Sequence, residues 1–570
     1  MPAPRSTACL VAALALGLGC RPEPPAPPVR AAATITISIV GTNDLHGHVG
    51  ALPLLGGYLA NLRRARAHDG GVVLLDGGDM YQGTLESNLD EGAPVVAAYD
   101  ALGYDAVAIG NHEFDYGPVG PEATANTPDE DPLGALRARI AQARHRFLSA
   151  NLHAAPGAGE PRLGARSTLI ERGGVTLGII GASTTSTPRT TIAANVRALS
   201  FAPLADAIAA EARALRQQGA AAVIVTAHAG GDCSDLDHAD ALDSCDPAEE
   251  IMAVAAALPP GLVDVIVGGH THQAMAHRVH GIAVIESYAL GVAFGRVDLT
   301  IDGSTRKVVA SAIHPPQRLC SAEGANPEDP LERCAPRAYE GAAVQPDAAV
   351  AAVVAPAIER ARVIRERRLG PTLSARFEAE RDRECALGNL FADLMLAARP
   401  GADAAIMNGG GLRAPLPAGP LHYGALYEAF PFDNRFAIVR LPAATLAQGL
   451  AHHLARDGSF FSLAGIVATT RCERGTLVVS LARRDGTAIA DDERLAIVTT
   501  DFLATGGDGL FGPPAAEVAV ERGPPIREVM AEALAGMGAR TLTPQRYFDA
   551  ANARVRPAGA RAIRCAASSD

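Results

Sequence analysis

Short apolar runs alternate with longer amphipathic stretches through the first half of the chain. Residues 203–218, for example, repeat their apolar positions every three to four residues and are followed closely by the apolar run 221–226. The first pattern is typical of a surface helix and the second of a buried strand. Because the two alternate from Thr34 to about Ile313, we predict a layered α/β domain over residues 34–317.

The mixed pattern resumes after a break in the second half of the chain. Residues 318–345 are loop-like, and residues 346–368 then predict a long helix that Gly370 and Pro371 should end. Apolar runs at 438–441, 476–481 and 495–499 predict strands of a second mixed α/β domain over residues 371–557. Since 570 residues exceed one hydrophobic core, we expect two domains joined by the linker and helix of residues 318–370. Residues 558–570 are predicted to form a loose tail.

The N-terminal residues have the features of an export signal. Arg5 is followed by an apolar stretch over residues 8–18, too short to span a bilayer, and then by Gly19 and Cys20. We predict a signal peptide over residues 1–20 and a Pro-rich linker over residues 21–33, and hence a periplasmic or cell-surface protein. Residues 16–20 resemble a bacterial lipoprotein signal, in which a lipid on Cys20 is the membrane contact. Gly17 departs from that pattern, so simple cleavage and release is the alternative.

The net charge limits the partners. With 50 basic and 62 acidic side chains, the chain carries a formal charge of -12. Basic residues are scattered rather than clustered, so a nucleic-acid polymer would be repelled and is not expected as a partner. A small anionic substrate is compatible with this charge, because a few Arg side chains and bound cations can reverse the field inside one cleft.

Cysteine usage fits an oxidising compartment. Two of the nine cysteines belong to the predicted signal, and the other seven are Cys233, Cys245, Cys320, Cys334, Cys385, Cys472 and Cys565. The first and second of these, and the third and fourth, are close in sequence within polar loops, so we expect two disulfides between them. Because seven is odd, at least one thiol should stay free or pair with another molecule. A zinc ribbon is excluded, since the chain has no CxxC pair.

Five predicted strands of the first domain each end in a short polar motif. In chain order the motifs are Gly-Thr-Asn-Asp-Leu-His-Gly at 41–47, Asp-Gly-Gly-Asp at 76–79, Gly-Asn-His-Glu-Phe-Asp at 110–115, His228, and Gly-Gly-His-Thr-His at 268–272. Ligands of open α/β sheets bind at the carboxyl ends of strands, so these polar groups should meet in space. A single such residue is usually a turn residue or a helix cap, but that explanation does not account for five together.

The polar side chains in these motifs are suited to divalent metals. Asp44 and His46 are two residues apart and can point the same way from an extended segment, as can His270 and His272. Carboxylate, imidazole and carboxamide ligands without a thiolate favour Zn, Mn, Co or Fe. Seven candidate ligands predict two ions rather than one, and they are Asp44, His46, Asp79, Asn111, His228, His270 and His272.

The order D-x-H, G-D, G-N-H-E-x-D, a single His and G-H-x-H resembles the calcineurin-like metallophosphoesterase superfamily. The sequence Gly-Thr-Asn-Asp-Leu-His-Gly at 41–47 is typical of the 5′-nucleotidase branch of this superfamily. The resemblance implies a four-layer sandwich and two metal sites that share Asp79. One site would be completed by Asp44, His46 and His272, and the other by Asn111, His228 and His270.

The same resemblance assigns catalytic roles to two further residues. His112 would stabilise the transition state and the leaving group, and Asp115 would orient it. A His positioned by a carboxylate suits an acid or electrostatic role. We interpret Glu113, Asp76 and His48 as structural residues.

Motifs in the second domain resemble the C-terminal domain of 5′-nucleotidases. They lie at residues 381–389, 408–413, 430–432 and 502–509. By that resemblance, Phe432 and Phe502 sandwich a base and Asp508 accepts hydrogen bonds from ribose hydroxyls. Arg381, Asn408 and Arg413 would bind phosphate or nearby oxygens, as the planar fork of Arg does well. The alternative for each Phe is an ordinary core residue.

We therefore predict a two-domain, dinuclear-metal 5′-nucleotidase that converts nucleoside 5′-monophosphates to nucleoside and phosphate. UDP-sugars or other nucleotide pyrophosphates are further candidate substrates. A 2′,3′-cyclic-nucleotide phosphodiesterase with 3′-nucleotidase activity, or a thiosulfohydrolase, is the alternative within the superfamily. A surface protein that binds nucleotides without catalysis is the alternative of another class. Because metal ligands and base platform belong to different domains, we also expect the domains to close on the substrate.

Overall fold

The computed structural model describes residues 34–125, 127–456, 458, 460–511, 517–557 and 562–565. The predicted signal peptide, its Cys20 and the Pro-rich linker lie outside these residues. None of the helices within the described ranges is both long enough and apolar enough to cross a membrane.

The first domain begins at β1 and ends with β14. Its strands are β1 Thr34–Thr42, β2 Gly70–Asp76, β3 Ala106–Ala108, β4 Arg146–Leu148, β5 Leu152–Ala154, β6 Ser167–Arg172, β7 Val175–Ser183, β8 Leu199–Phe201, β9 Ala222–His228, β10 Val265–Val267, β11 Ala274–Val279, β12 Ile282–Ser287, β13 Ala293–Asp302 and β14 Val308–Arg318. Its helices are α1 Leu52–Arg66, α2 Leu85–Asn88, α3 Ala93–Leu102, α4 Gly134–Gln142, α5 Thr187–Thr190, α6 Ala193–Val196, α7 Leu204–Gln217 and α8 Glu250–Ala257.

Two six-stranded sheets form the centre of this domain. Their strand orders are β14-β13-β1-β2-β3-β4 and β11-β12-β10-β9-β7-β6. Apolar side chains such as Ile37, Val73 and Leu177 are fully buried between the sheets. Helices α1 and α3 contribute to the core on the outer side of the first sheet, and α7 and α8 to that of the second. The domain is therefore the four-layer α/β sandwich that the family resemblance implied.

The remaining elements form the connection and the second domain. The strands are β15 Arg368–Leu373, β16 Ala404–Asn408, β17 Gly419–His422, β18 Phe436–Pro442, β19 Phe461–Ala464, β20 Ile466–Glu473, β21 Thr476–Arg483, β22 Arg494–Thr500, β23 Glu517–Val520, β24 Thr541–Leu542 and β25 Val555–Arg556. The helices are α9 Leu331–Cys334, α10 Ala348–Arg365, α11 Ala386–Ala398, α12 Tyr423–Ala429, α13 Ala443–Leu454, α14 Asp501–Ala504, α15 Ile526–Gly536 and α16 Pro544–Tyr547. A five-stranded sheet, β19-β16-β22-β18-β23, is the largest in this domain.

The long helix α10 ends earlier than the sequence predicted. It begins after Asp347, whose carboxylate accepts hydrogen bonds from two backbone N–H groups of the first turn, and it ends at Arg365. Gly370 and Pro371 do not end it but lie inside β15, which pairs with β17 and β24. Gly370 has a φ of 88°, which suits glycine and falls where the pairing with β17 shifts register. The pairing of β15 with distant strands, rather than a local helix-breaking signal, therefore determines that residues 368–373 form a strand.

The cysteine predictions are confirmed and extended. Both expected disulfides, Cys233–Cys245 and Cys320–Cys334, are present, and Cys385 is a buried free thiol. A third disulfide joins Cys472 to Cys565. The prediction of a wholly loose C-terminal tail is wrong for residues 562–565, because Ile563 donates its backbone N–H to the carbonyl of Leu454 and packs against the second domain.

Candidate active site

The parallel strands of both sheets end at one edge of the sandwich. Thr42 at the end of β1 lies beside Asp76 at the end of β2, and Ser183 at the end of β7 lies beside His228 at the end of β9. The loops at this edge bring the predicted metal ligands together. One continuous set of contacts, the longest of them 3.9 Å, links all seven, namely Asp44, His46, Asp79, Asn111, His228, His270 and His272.

One half of this cluster, the Asp44 group, consists of Asp44, His46 and His272. Nε2 of His46 lies 3.0 Å from Nε2 of His272, and these atoms lie 3.9 and 3.5 Å from Oδ1 of Asp44. Nδ1 of His46 lies 2.7 Å from the carbonyl oxygen of Gln82 and donates to it, which leaves the lone pair on Nε2. Asp44 Oδ1 is buried and accepts no hydrogen bond from any described residue. A cation would satisfy this oxygen and both imidazoles.

The other half, the Asp79 group, consists of Asp79, Asn111, His228 and His270. Nε2 of His228 lies 3.1 Å from Oδ2 of Asp79, 2.9 Å from Oδ1 of Asn111 and 3.1 Å from Nδ1 of His270. Nδ1 of His228 lies 2.9 Å from the carbonyl oxygen of Gly77, which fixes the orientation of the ring. Four nitrogen and oxygen ligands therefore face a common point.

The backbone of the ligand loops is strained. Non-glycine residues with positive φ cost about 1 kcal/mol or more each and tend to cluster at functional sites. Backbone hydrogen bonds between the first two loops hold this conformation, including one from Asp44 N–H to Gly78 and one from His46 N–H to Asp79. Five of the seven ligands have positive φ, namely Asp44, His46, Asp79, His270 and His272.

Burial sets the charge of the imidazoles. It lowers the pKa of His46 and His272, and with the neighbouring His228 it lowers the pKa of His270 to about 3, so these rings are neutral. Burial opposes the charged form of His228 too, yet Asp79 raises the pKa of His228 to about 10. The negative charge of Asp79 therefore stabilises a positive charge placed beside its carboxylate.

His112 and Asp115 form the predicted pair. Nδ1 of His112 lies 2.5 Å from Oδ2 of Asp115, and the other carboxylate oxygen accepts a hydrogen bond of 2.7 Å from the Thr191 hydroxyl. The His112 ring lies 5.3 Å from the ring of His46 and lines the cleft above the metal ligands. Asp115 thus orients His112 with Nε2 left for a ligand.

A cleft of about 1250 Å³ lies between the two domains at this edge. Its volume is above the usual range for small-ligand sites. It is lined from the first domain by His112, Asp79 and their neighbours. The second domain contributes all six predicted substrate residues, which are Arg381, Asn408, Arg413, Phe432, Phe502 and Asp508.

Arg413 and Phe432 lie directly against the first domain. Nη2 of Arg413 is 3.2 Å from Nε2 of His46, and the Phe432 ring is 5.7 Å from the ring of His112. Burial and the neighbouring Arg381 lower the pKa of Arg413 to about 10, which still leaves it charged at neutral pH. Two close guanidinium groups beside the metal ligands suit an anionic substrate group.

The remaining predicted substrate residues show two contacts that the sequence did not reveal. Asn408 donates a hydrogen bond of 2.8 Å to a carboxylate oxygen of Asp508. The Phe502 ring lies against Gly507, where a Cβ atom would come within 2.5 Å of the ring. Glycine is therefore required at 507 for Phe502 to keep this position.

Comparisons with known proteins agree on both domains. The family model described as calcineurin-like phosphoesterase matches residues 37–274, and that of the 5′-nucleotidase C-terminal domain matches residues 365–515. The chain belongs to the 5′-nucleotidase family. Protein UshA of Yersinia enterocolitica is 26% identical over 509 residues, which cover 84% of this chain and 86% of UshA. Endonuclease YhcR of Bacillus subtilis is 26% identical over 502 residues, which cover 84% of this chain but 38% of YhcR.

Solved structures show the same fold. The 5′-nucleotidase precursor from Thermus thermophilus superposes with a TM-score of 0.68 and 22% identity, covering 89% of this chain and 99% of that protein. Members of the 5′-nucleotidase family are metal-dependent hydrolases of phosphoric monoesters, so this chain is an enzyme of that class. Its buried Asp and His groups fit the divalent metals that the family uses.

Two buried carboxylates support the loops of the site, and neither was predicted from the sequence to belong to it. Glu113, interpreted as structural, accepts hydrogen bonds from the backbone N–H groups of Gly110, Asp79 and Met80, and so fixes the loop that carries Asp79. Burial and then Asp79 raise its pKa to about 8. Glu286 accepts hydrogen bonds from Thr271 and from Gly231 N–H, beside the predicted metal ligands His270 and His272. The sequence signal that could have found Glu286 is its position as the single charged residue of the largely apolar β12.

Replacing Asp79 tests the metal centre. Asp79→Asn removes the carboxylate charge that faces His228, so we expect metal affinity and phosphoesterase activity to fall by about a hundredfold or more. Metal bound per chain is measured by mass spectrometry and activity by phosphate release. Asp235→Asn is the control, because Asp235 pairs with His238 on an exposed loop. Full metal binding by the Asp79 variant would contradict the assignment.

Proposed function

We propose that this chain is an exported 5′-nucleotidase that uses two divalent metal ions to hydrolyse nucleoside 5′-monophosphates to nucleoside and phosphate. One observation carries the proposal: the metal-ligand cluster and six residues suited to nucleotide recognition line or adjoin a single cleft. UDP-sugars and other nucleotide pyrophosphates are further substrates that the volume of this cleft can admit.

The two ligand groups define where the ions would bind. Asp44, His46 and His272 would hold one ion, the Asp79 group the other, and Asp79 would contact both. The donor set suits Zn, Mn, Co or Fe. Two such ions activate water at neutral pH and neutralise the charge of phosphate oxygens.

The side chains around the ions would do the rest. Arg381 and Arg413 would bind the phosphate, with Asn408 beside them. Phe432 and Phe502 would stack on the base, and Asp508 would accept hydrogen bonds from ribose hydroxyls. His112, oriented by Asp115, faces the cleft and would stabilise negative charge on the leaving oxygen or give it a proton.

The alternative activities would use the same metal ligands and would differ in what the second domain recognises. A thiosulfohydrolase needs no stacking platform, so Phe432, Phe502 and Asp508 favour a nucleoside over an inorganic sulfur ligand. A non-catalytic nucleotide-binding protein has no use for the His112–Asp115 pair. A 2′,3′-cyclic nucleotide would occupy the same cleft, so an activity assay is needed to distinguish a cyclic-nucleotide phosphodiesterase from a 5′-nucleotidase.

A substrate panel tests the proposal. Turnover is measured by chromatography of the products, and the mature chain, supplied with Mn, Zn or Co, is expected to hydrolyse AMP fastest when compared with UDP-glucose, 2′,3′-cyclic AMP and p-nitrophenyl phosphate. A chelator should abolish the reaction. His112→Ala should lower kcat by about a hundredfold while AMP still binds. Turnover of the other substrates but not AMP would overturn the specificity, and no turnover with any metal would overturn the enzyme assignment.

Export and anchoring are part of the same proposal. The apolar segment before Cys20 and the surface location implied by the name of one relative, the cell wall protein Lmo0130 of Listeria monocytogenes, support it. Mass analysis of the mature N-terminus is expected to show a lipid on Cys20. An unmodified peptide that begins after Cys20 would refute the lipid anchor and leave simple cleavage.

A further inference from the structure

The turn that carries Phe432 has no regular secondary structure of its own. Residues 431–435 lie between α12 and β18 and belong to no helix or strand, and the preceding Phe430 closes α12 through a hydrogen bond from its N–H to the carbonyl of Leu426. Phe432 is only half-buried, yet its ring sits 5.7 Å from the ring of His112. The position of this ring therefore depends on whichever groups hold the carbonyl oxygens of the turn.

Arg527 holds two of these oxygens. Its Nη1 donates to the carbonyls of Phe432 at 3.0 Å and of Phe430 at 3.4 Å, and its Nη2 donates to the carboxylate of Asp433 at 2.6 Å. One guanidinium thus binds three of the four consecutive residues 430–433. Arg527 is only 4% exposed, so its hydrogen bonds to the two carbonyls lie in the interior, while the carboxylate of Asp433 reaches the surface.

Arg527 is itself fixed in place. Its guanidinium carbon lies 4.0 Å from the centre of the Tyr427 ring, and Nε donates to the Tyr423 hydroxyl and to Glu528, both at 3.3 Å. Every nitrogen of the guanidinium therefore has a partner. A planar guanidinium with this many fixed contacts holds the carbonyls of the turn in one position more firmly than the flexible ammonium of a Lys could.

The remaining residue of the turn, Pro431, is held by the other domain. Nε2 of Gln82 and Nδ2 of Asn88 donate to the carbonyl of Pro431 at 3.1 and 3.2 Å. The backbone carbonyl of Gln82 is also the acceptor for Nδ1 of the metal-ligating His46. The turn is thus held from the second domain by Arg527 and from the first by the segment that orients a metal ligand.

We propose that Arg527 is a positioning residue for substrate specificity, which sets Phe432 against His112 through the carbonyl oxygens of the 430–433 turn. The proposal rests on the proposed function, because it assumes that Phe432 stacks on a base. Arg527 lines the cleft but lies behind the turn, and it acts through Phe432. Its loss should therefore affect nucleosides more than a small phosphoester that lacks a base.

The experiment compares Arg527→Met and Arg527→Lys with a matched control, Arg554→Met. Arg554 is equally buried and is bound by the carboxylate of Asp393 and by two backbone carbonyls, but none of these partners belongs to the turn. For each variant, kcat and KM are measured with AMP and with p-nitrophenyl phosphate, together with the thermal midpoint of unfolding.

For both Arg527 variants we expect the ratio of kcat/KM for AMP to that for p-nitrophenyl phosphate to fall about tenfold, mainly through a higher KM for AMP. Arg554→Met should lower the unfolding midpoint and leave the ratio unchanged. If the Met variant does not fold, the Lys variant decides, since it keeps the charge and the burial but loses the fork. Equal losses with both substrates, or the same change of ratio in the Arg554 control, would overturn the proposal.

A double-mutant cycle shows whether Arg527 acts through Phe432. In a Phe432→Ala background, Arg527→Met should change the substrate ratio by less than about twofold. A further tenfold loss would overturn the proposed route. The proposed function and this inference can fail separately. If the unmodified enzyme hydrolyses p-nitrophenyl phosphate but no nucleotide, both the proposed function and this inference are overturned. If the preference for nucleotides survives Arg527→Met, only the inference is overturned.

Discussion

Burial of nitrogen and oxygen ligands at one edge of two packed sheets is the constraint on which the rest of the structure depends. The sheets approach each other so closely there that a Cβ on Gly41 would lie 2.6 Å from Val267. Loops leaving this edge are forced together, and the side chains of Asp44, Asp79 and His228 are buried there, while His270 and His272 border the cleft. Asp44 Oδ1 accepts no hydrogen bond from the described residues, and Asp79 raises the pKa of His228 to about 10. Both facts favour a bound positive charge.

The second domain brings the predicted substrate residues to this centre. Arg413 reaches to 3.2 Å from His46, and Phe432 lies against His112, so the predicted recognition residues and metal ligands share one cleft. The 430–433 turn, bound by Arg527 on one side and by Gln82 and Asn88 on the other, connects the two domains at the point where the base would stack. A change in how the domains meet would therefore move the base platform relative to the metal ligands.

Much of the site could be predicted because its residues are local in sequence. Motifs such as the one at 41–47 combine a strand, its turn and its predicted ligands within a few positions. The alternation of strands and helices predicts a layered α/β fold, and the family resemblance implies its four layers. Partners that are distant in the chain could not be predicted in this way. Glu113 acts on the backbone of a loop more than thirty residues away, and Arg527 acts on carbonyls that any residue would offer. The early end of α10 likewise depends on the pairing of β15 with β17 and β24.

A crystal structure of the mature chain grown with Mn²⁺ and a non-hydrolysable AMP analogue tests the central claim most directly. Anomalous scattering should show two peaks about 3.5–4 Å apart, one at each ligand group and both beside Asp79. The base should lie between Phe432 and Phe502, with the phosphate between the metals and Arg413. A single metal peak, or a nucleotide bound away from the Phe432 turn, would contradict the account.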